Sequence, residues 1–269
     1  MLTAQEELVR AWRLFYKTKL REKQRPYILK GDEGVLQPKR YLNYRNYHEC
    51  LKNIDHVYKQ ASKFHLGLLP MPYSGNLQKA YIYLLNLNPG FSPGDFYEEA
   101  TSKKLIEEKI RELTQINLDV DYPWHALNPE YCWTGAGIYW SKRFKGIIDE
   151  ITKRGKIEYS DALKCISQAV ACLELIPYHS KSYKRMEESN HELRSTELIR
   201  NYLKRDVVPR AKKGNALIII MRQRDKWGIN GKNIEENSQK RSGYFNDKCR
   251  EKIVRALFER SNLLKIRAK

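Results

Sequence analysis

Three short apolar runs constrain this chain more than any other feature. Ala80–Leu87, Ala169–Ile176 and Asn215–Met221 are nearly continuous strings of aliphatic and aromatic residues. The first stops at Asn88-Pro89-Gly90 and the second at Pro177. Runs of this length and texture fit strands buried on both faces of a parallel sheet. The stretches around them, 96–115, 141–154, 159–170, 190–204 and 246–261, have helical composition. Strands alternating with helices predict an α/β fold, a three-layer α/β/α domain with a mostly parallel central sheet. Ligands of such sheets sit at the carboxyl ends of the strands. The places to search therefore follow Leu87, Leu173 and Met221.

The amino-terminal part reads differently. Residues 4–24 place Leu8, Ala11, Trp12, Phe15 and Tyr16 on one face of a helix, residues 25–45 look irregular, and 46–64 suit a second helix. The expectation is a basic helical extension, residues 1–65, packed on a main domain of residues 66–269. Charge is as uneven as pattern. The 269 residues carry a net +18; residues 1–65 hold 14 basic against 7 acidic side chains, 66–200 hold 17 against 18, and 201–269 hold 19 against 7. Basic ends, in a chain with 18 Tyr and 5 Trp, point to a polyanion partner.

Several classes are disfavoured. No run of 18 apolar residues exists and mean hydropathy is −0.70, so no membrane span is expected. The first residues lack a signal-peptide layout, and a cytoplasmic monomer is expected. Cys50, Cys132, Cys165, Cys172 and Cys249 form no C-x-x-C pair and read as reduced, mostly buried thiols. The six histidines show no ligand spacing, so neither a metal nor another cofactor is expected. No clustered Asp/Glu/His set suggests a two-metal nuclease.

Three segments carry candidate chemistry. In the first, Pro89 biases Asn88 toward an extended backbone, and Gly90 permits close approach of a ligand. Asn88 would then present an amide carbonyl able to hold a water. In the second, Glu174 interrupts an apolar strand, where a carboxylate is paired, solvated or poised against a ligand donor. The third follows the 215–221 run. Lys226 lies in its loop, and Asn237, Ser238, Lys240, Arg241 and Ser242 precede the last helix, a composition suited to gripping phosphate.

At these segments the chain resembles the uracil-DNA glycosylase superfamily. Leu87-Asn88-Pro89-Gly90 is similar to its water-activating motif in the Gly-Ile/Met-Asn-Pro-Gly form. Glu174-Leu175-Ile176-Pro177 is similar to the strand whose first residue reads the flipped base. Asn237-Ser238 with Arg241-Ser242-Gly243-Tyr244-Phe245 resembles the late loop that enters the minor groove. The resemblance covers about residues 66–261. It departs at Asn86, where the family has Gly, at the missing Pro after Asn237, and at Glu174, where the family has Asn. The 1–65 extension has no counterpart, and the cysteine spacing differs from the iron–sulfur branches.

The resemblance implies a monofunctional DNA glycosylase acting on single- or double-stranded DNA whose target base leaves the stack. Asn88 would position the water, while Asn237 and backbone N–H groups would stabilise the departing base. Glu174, Gly90 and Phe91 would form the base site, with Phe96, Tyr97, Tyr122 and Trp124 as other stacking candidates. Ser238, Lys240, Arg241, Ser242 and Lys226 would hold DNA. An ionised Glu174 accepts only, which suits the exocyclic amine of cytosine and repels O4 of uracil. Gly90 stands where the uracil-specific branch screens the pyrimidine 5-position with Tyr. The pair implies a 5-substituted cytosine, hydroxymethylated or glucosylated, as in phage DNA, and hence antiviral defence. The alternatives are a uracil or mismatch repair glycosylase for host DNA and a non-catalytic nucleic-acid-binding protein on the same fold.

Overall fold

A computed structural model describes residues 2–183, 192–237, 244–261 and 264. Its seven strands are β1 (Tyr41–Leu42), β2 (Phe64–His65), β3 (Tyr73–Ser74), β4 (Ile82–Asn86), β5 (Val170–Glu174), β6 (Leu217–Ile220) and β7 (Ile234–Glu236). Five form one sheet in the order β3-β5-β4-β6-β7, and β1 pairs with β2 in parallel. Within the sheet, β4, β6 and β7 are parallel neighbours, with Ile82 opposite Leu217 and Ile218 opposite Ile234. The three apolar runs are its three inner strands. Ile82–Leu85, Val170–Leu173 and Leu217–Ile220 are buried residue by residue, with no alternation, as expected of strands covered on both faces. The chain is therefore α/β. The outer strands β3 and β7 are two and three residues long, too short to leave a period in the sequence.

The helices differ from expectation in detail. Residues 96–115 divide into Gly94–Thr101 and Lys103–Thr114, and 46–64 into Tyr47–Lys52 and Ile54–Lys59. The first helix, Ala4–Phe15, ends in the wider π-helical turn Tyr16–Leu20. Among the described residues no helix is long and apolar enough to cross a membrane.

Contacts divide the chain into two compact units, and the division is not the expected one at residue 66. One unit comprises Met1–Tyr73, Leu87–Thr114 and Glu174–Asp206; the other comprises Ser74–Asn86, Gln115–Leu173 and Val207–Lys269. In the first unit the amino-terminal helix is core, not appendage. A capping box starts it: Thr3 Oγ1 accepts from Glu6 N at 3.2 Å, and Glu6 Oε2 accepts from Thr3 N at 2.7 Å. Its Leu8, Trp12 and Phe15 are buried, and it packs against helices Arg194–Tyr202 and Lys103–Thr114. Each such side chain contributes about 1.5–3 kcal/mol when removed from water. That stripe, read from sequence as an extension's packing face, is what ties residues 1–65 to the late segment of the unit.

A buried polar network makes a second tie. Asp32, fully buried, accepts from Tyr178 Oη at 2.6 Å and from Ser195 N at 3.0 Å. Tyr178 Oη in turn accepts from Leu29 N at 3.0 Å. Burial raises the Asp32 pKa against these hydrogen bonds, and burial also raises that of Tyr178.

The second unit holds the sheet core. Ile82 and Leu84, Val170 and Cys172, and Leu217 and Ile219 face Phe144, Ile148 and Ile151 of helix Gly135–Gly155, Leu163 and Ile166 of helix Tyr159–Ala169, and Ile253 and Leu257 of helix Asp247–Arg260. Arg210 donates to Tyr83 Oη at 2.6 Å and to Ala80 O at 2.7 Å, anchoring the start of β4. Gly75 has φ +81°, and a Cβ there would lie 2.5 Å from Val170 O. Gly75→Ala is therefore expected to lower stability by about 2–4 kcal/mol in urea unfolding, from backbone strain plus overlap. All five cysteines are free thiols, four of them buried.

Candidate functional site

Asn88 lies two residues beyond β4, in the first unit, at the carboxyl end of a buried strand. Its neighbours are set by the segment that continues β5. Ile176 N donates to Leu87 O at 2.9 Å, so the extensions of the two strands run side by side. Ser180 N then donates to Pro89 O at 3.2 Å. Glu174, at the end of β5, is half-buried, and its own N–H donates to Pro72 O at 2.9 Å. The structure thus brings Asn88, Gly90, Phe91 and Glu174 into one unit.

The Asn88 amide is oriented. Nδ2 donates to Pro89 O at 2.8 Å and to Ser180 Oγ at 2.9 Å, with Ser180 O at 3.4 Å. Carbonyl oxygens only accept, so the NH₂ must occupy this side and Oδ1 the other. Oδ1 accepts no hydrogen bond from any described residue, and the side chain is half-buried. Ser180 is itself fixed: it is buried, and its Oγ donates to Ser182 O at 3.1 Å. Gly90 is exposed, with nothing within 4 Å of where a Cβ would stand. A pinned donor end, an acceptor end with no hydrogen bond from the described residues and an open flank at Gly90 are what holding one water against a bulky ligand requires.

Two histidines back this turn. His179 is buried, with Nδ1 2.7 Å from Gly90 O and Nε2 3.1 Å from Leu69 O, so its ring lies between residues 90 and 69. His65 lies parallel to Phe91, ring centroids 3.4 Å apart and planes 8° apart. Burial, with His179 nearby, pushes the His65 pKa down to about 3, so its ring is neutral. Neither His65 nitrogen has a partner among the described residues. One face of Phe91 is therefore already covered. Of the other stacking candidates, Phe96 and Trp124 are buried in the cores of their units, and Tyr122 is half-buried against the core of the second. Tyr97 is 52% exposed, with the edge of Tyr47 against it at 5.6 Å.

No family model, curated protein or solved structure matches this chain.

Asn237 and Lys226 belong to the second unit. Asn237 is buried; its Nδ2 donates to Tyr244 O at 2.7 Å and its Oδ1 accepts from Asn246 N at 2.8 Å. Both ends of the amide are thus taken by backbone groups of residues 244 and 246. Lys226 is half-buried on the short helix Arg224–Trp227. Ser238, Lys240, Arg241 and Ser242 lie outside the described residues. Sequence reasoning missed His65, His179 and Ser180. The signal was present for the last two, since Pro177-Tyr178-His179-Ser180 places polar side chains immediately beyond an apolar strand.

Proposed function

We propose that this chain is a monofunctional DNA glycosylase, with Asn88 as the residue that positions the attacking water. The observation that carries the reading is the Asn88 amide, clamped through Nδ2 and presenting Oδ1 at a strand end beside an open glycine. In this reading a target nucleotide leaves the stack and its C1′ meets a water held by Oδ1. The C1′–N1 bond breaks, its electron pair leaves with the base, and the water oxygen bonds C1′. One water proton passes to the departing base or to solvent, leaving an abasic sugar. Asn is neutral and stabilises the oxocarbenium sugar less than a carboxylate would, so charge on the leaving base must be met by N–H donors. Fold kinship to the uracil-DNA glycosylases, with three layers around the sheet, is part of the proposal.

The substrate reading follows from Glu174 and Gly90. An ionised Glu174 accepts from the exocyclic amine of cytosine, and the open flank at Gly90 leaves room for a hydroxymethyl or glucosyl group. Phage DNA carrying such bases is the proposed target, which makes antiviral defence the proposed role.

The test is base release in EDTA from unmodified, uracil-containing and glucosyl-hydroxymethylcytosine DNA, with abasic sites revealed by alkali. Cutting of modified-cytosine DNA alone is expected. Release of uracil instead would return Glu174 to a structural role, and silence on all three would remove the catalytic reading. Ser180→Ala takes away one of the two close acceptors that orient Asn88. It is expected to slow single-turnover base release about tenfold with DNA affinity unchanged, as misplacement of a positioning group does.

A further inference from the structure

The first unit carries an aromatic–cation pair beside Asn88 that the reaction above does not use. Tyr58 sits on helix Ile54–Lys59 and is 48% exposed. The Nζ of Lys181 lies 3.7 Å from the centre of its ring. Lys181 is exposed, and both of its chain neighbours are fixed. Ser180 Oγ accepts from Asn88 Nδ2 at 2.9 Å, and Ser182 N donates to Ala61 O at 2.9 Å. The backbone at residue 181 is therefore tied on one side to the Asn88 turn and on the other to residue 61, while its ammonium rests on the Tyr58 ring.

The surroundings favour a polyanion. Residues 39–63 contain Lys39, Arg40, Arg45, Lys52, Lys59 and Lys63 against only Glu49 and Asp55. Arg45, Lys52 and Lys59 are exposed. An exposed ring holding an ammonium ion is worth little to stability, about 0.5–1 kcal/mol. The same pair suits a DNA strand, with the ammonium on a phosphate and the exposed part of the ring against the neighbouring base or sugar.

We propose that Tyr58 and Lys181 grip the DNA strand next to the target nucleotide, so that the amino-terminal segment is part of the DNA-binding surface. This inference rests on the glycosylase reading for its choice of DNA, but its test reads binding, not catalysis. The full chain is titrated into a fluorescein-labelled single-stranded DNA 15-mer across a salt series. Lys181→Gln is expected to lower the slope of log affinity against log salt by about 0.7, the loss of one phosphate contact on a single strand. Tyr58→Ala is expected to weaken binding about five- to a hundredfold, and Tyr58→Phe to restore it. Lys103→Gln, which removes a charge that is 92% exposed and paired with Glu107, is the control for net charge.

A Lys181→Gln slope no different from that of Lys103→Gln, with Tyr58→Ala within twofold of wild type, would overturn the proposal. Absence of any DNA binding by the wild-type chain would overturn it together with the functional reading. Binding lost in these variants, in a protein that releases no base, would uphold the contact and remove only the catalysis.

Discussion

Asn88→Ala is expected to reduce base release by about 10²–10⁴-fold while leaving DNA affinity nearly unchanged. The magnitude is that of losing a group that orients the nucleophile in the transition state. The geometry explains why folding should survive. Ser180 Oγ keeps its bond to Ser182 O, and Pro89 O keeps the N–H of Ser180. Neither of the two closer partners of the lost amide is left bare, so the stability change should stay below about 1 kcal/mol. Single-turnover kinetics on the substrate found by the base-release assay, with urea unfolding alongside, separate the two effects. Activity within threefold of wild type would dismiss Asn88 as the water-positioning residue. Asn88→Asp is the informative companion, because it keeps the acceptor but replaces the NH₂ that bonds Pro89 O by an oxygen that cannot donate.

A large stability effect is also expected at Tyr178. Tyr178→Phe removes one hydroxyl and strips two buried groups at once, the N–H of Leu29 and Oδ2 of Asp32. Loss of a hydrogen bond to a carboxylate in a dry site, plus an unpaired amide, should lower unfolding free energy by about 2–3 kcal/mol. The same network predicts a pH signature. The folded Asp32 pKa is raised above its ordinary 3.8, chiefly by burial. A raised carboxylate pKa means that protonated Asp32 suits the fold better than the ionised form. The contribution is therefore complete below the ordinary value and is lost as pH rises through the folded value. The stability difference between wild type and Asp32→Asn should accordingly shrink from pH 4 to pH 8. A difference that grows over that range would show that the hydrogen bonds from Tyr178 and Ser195 outweigh burial.

What was legible in the sequence was whatever a single element determines for itself. The inner strands β4, β5 and β6 announced themselves because burial on both faces demands unbroken apolar runs. The turn at Asn88 was legible because proline and glycine act on their own backbone. The partition of the chain was not legible, since it depends on which face of Ala4–Phe15 meets which later helix. A stripe of Leu8, Trp12 and Phe15 says that something covers it, not that Arg194–Tyr202 does. The Asn88 clamp was hidden for the same reason. Ser180 stands 92 residues away in sequence, and only the side-by-side run of two strand extensions makes them neighbours. The partners of Asn237 were equally hidden: its amide bonds the backbone of Tyr244 and Asn246, which sequence reading did not anticipate.

The interleaving of the two units bears on how the protein is made. Helix Ala4–Phe15 leaves the ribosome early, but helix Arg194–Tyr202, against which it packs, is about 180 residues later. At translation speeds of 5–20 residues per second, its apolar face waits roughly ten to forty seconds for that cover. Until then Trp12 and Phe15 lack the cover that the later helix supplies. For the same reason a recombinant piece beginning at residue 66 would expose the helix faces that Leu8, Trp12 and Phe15 cover.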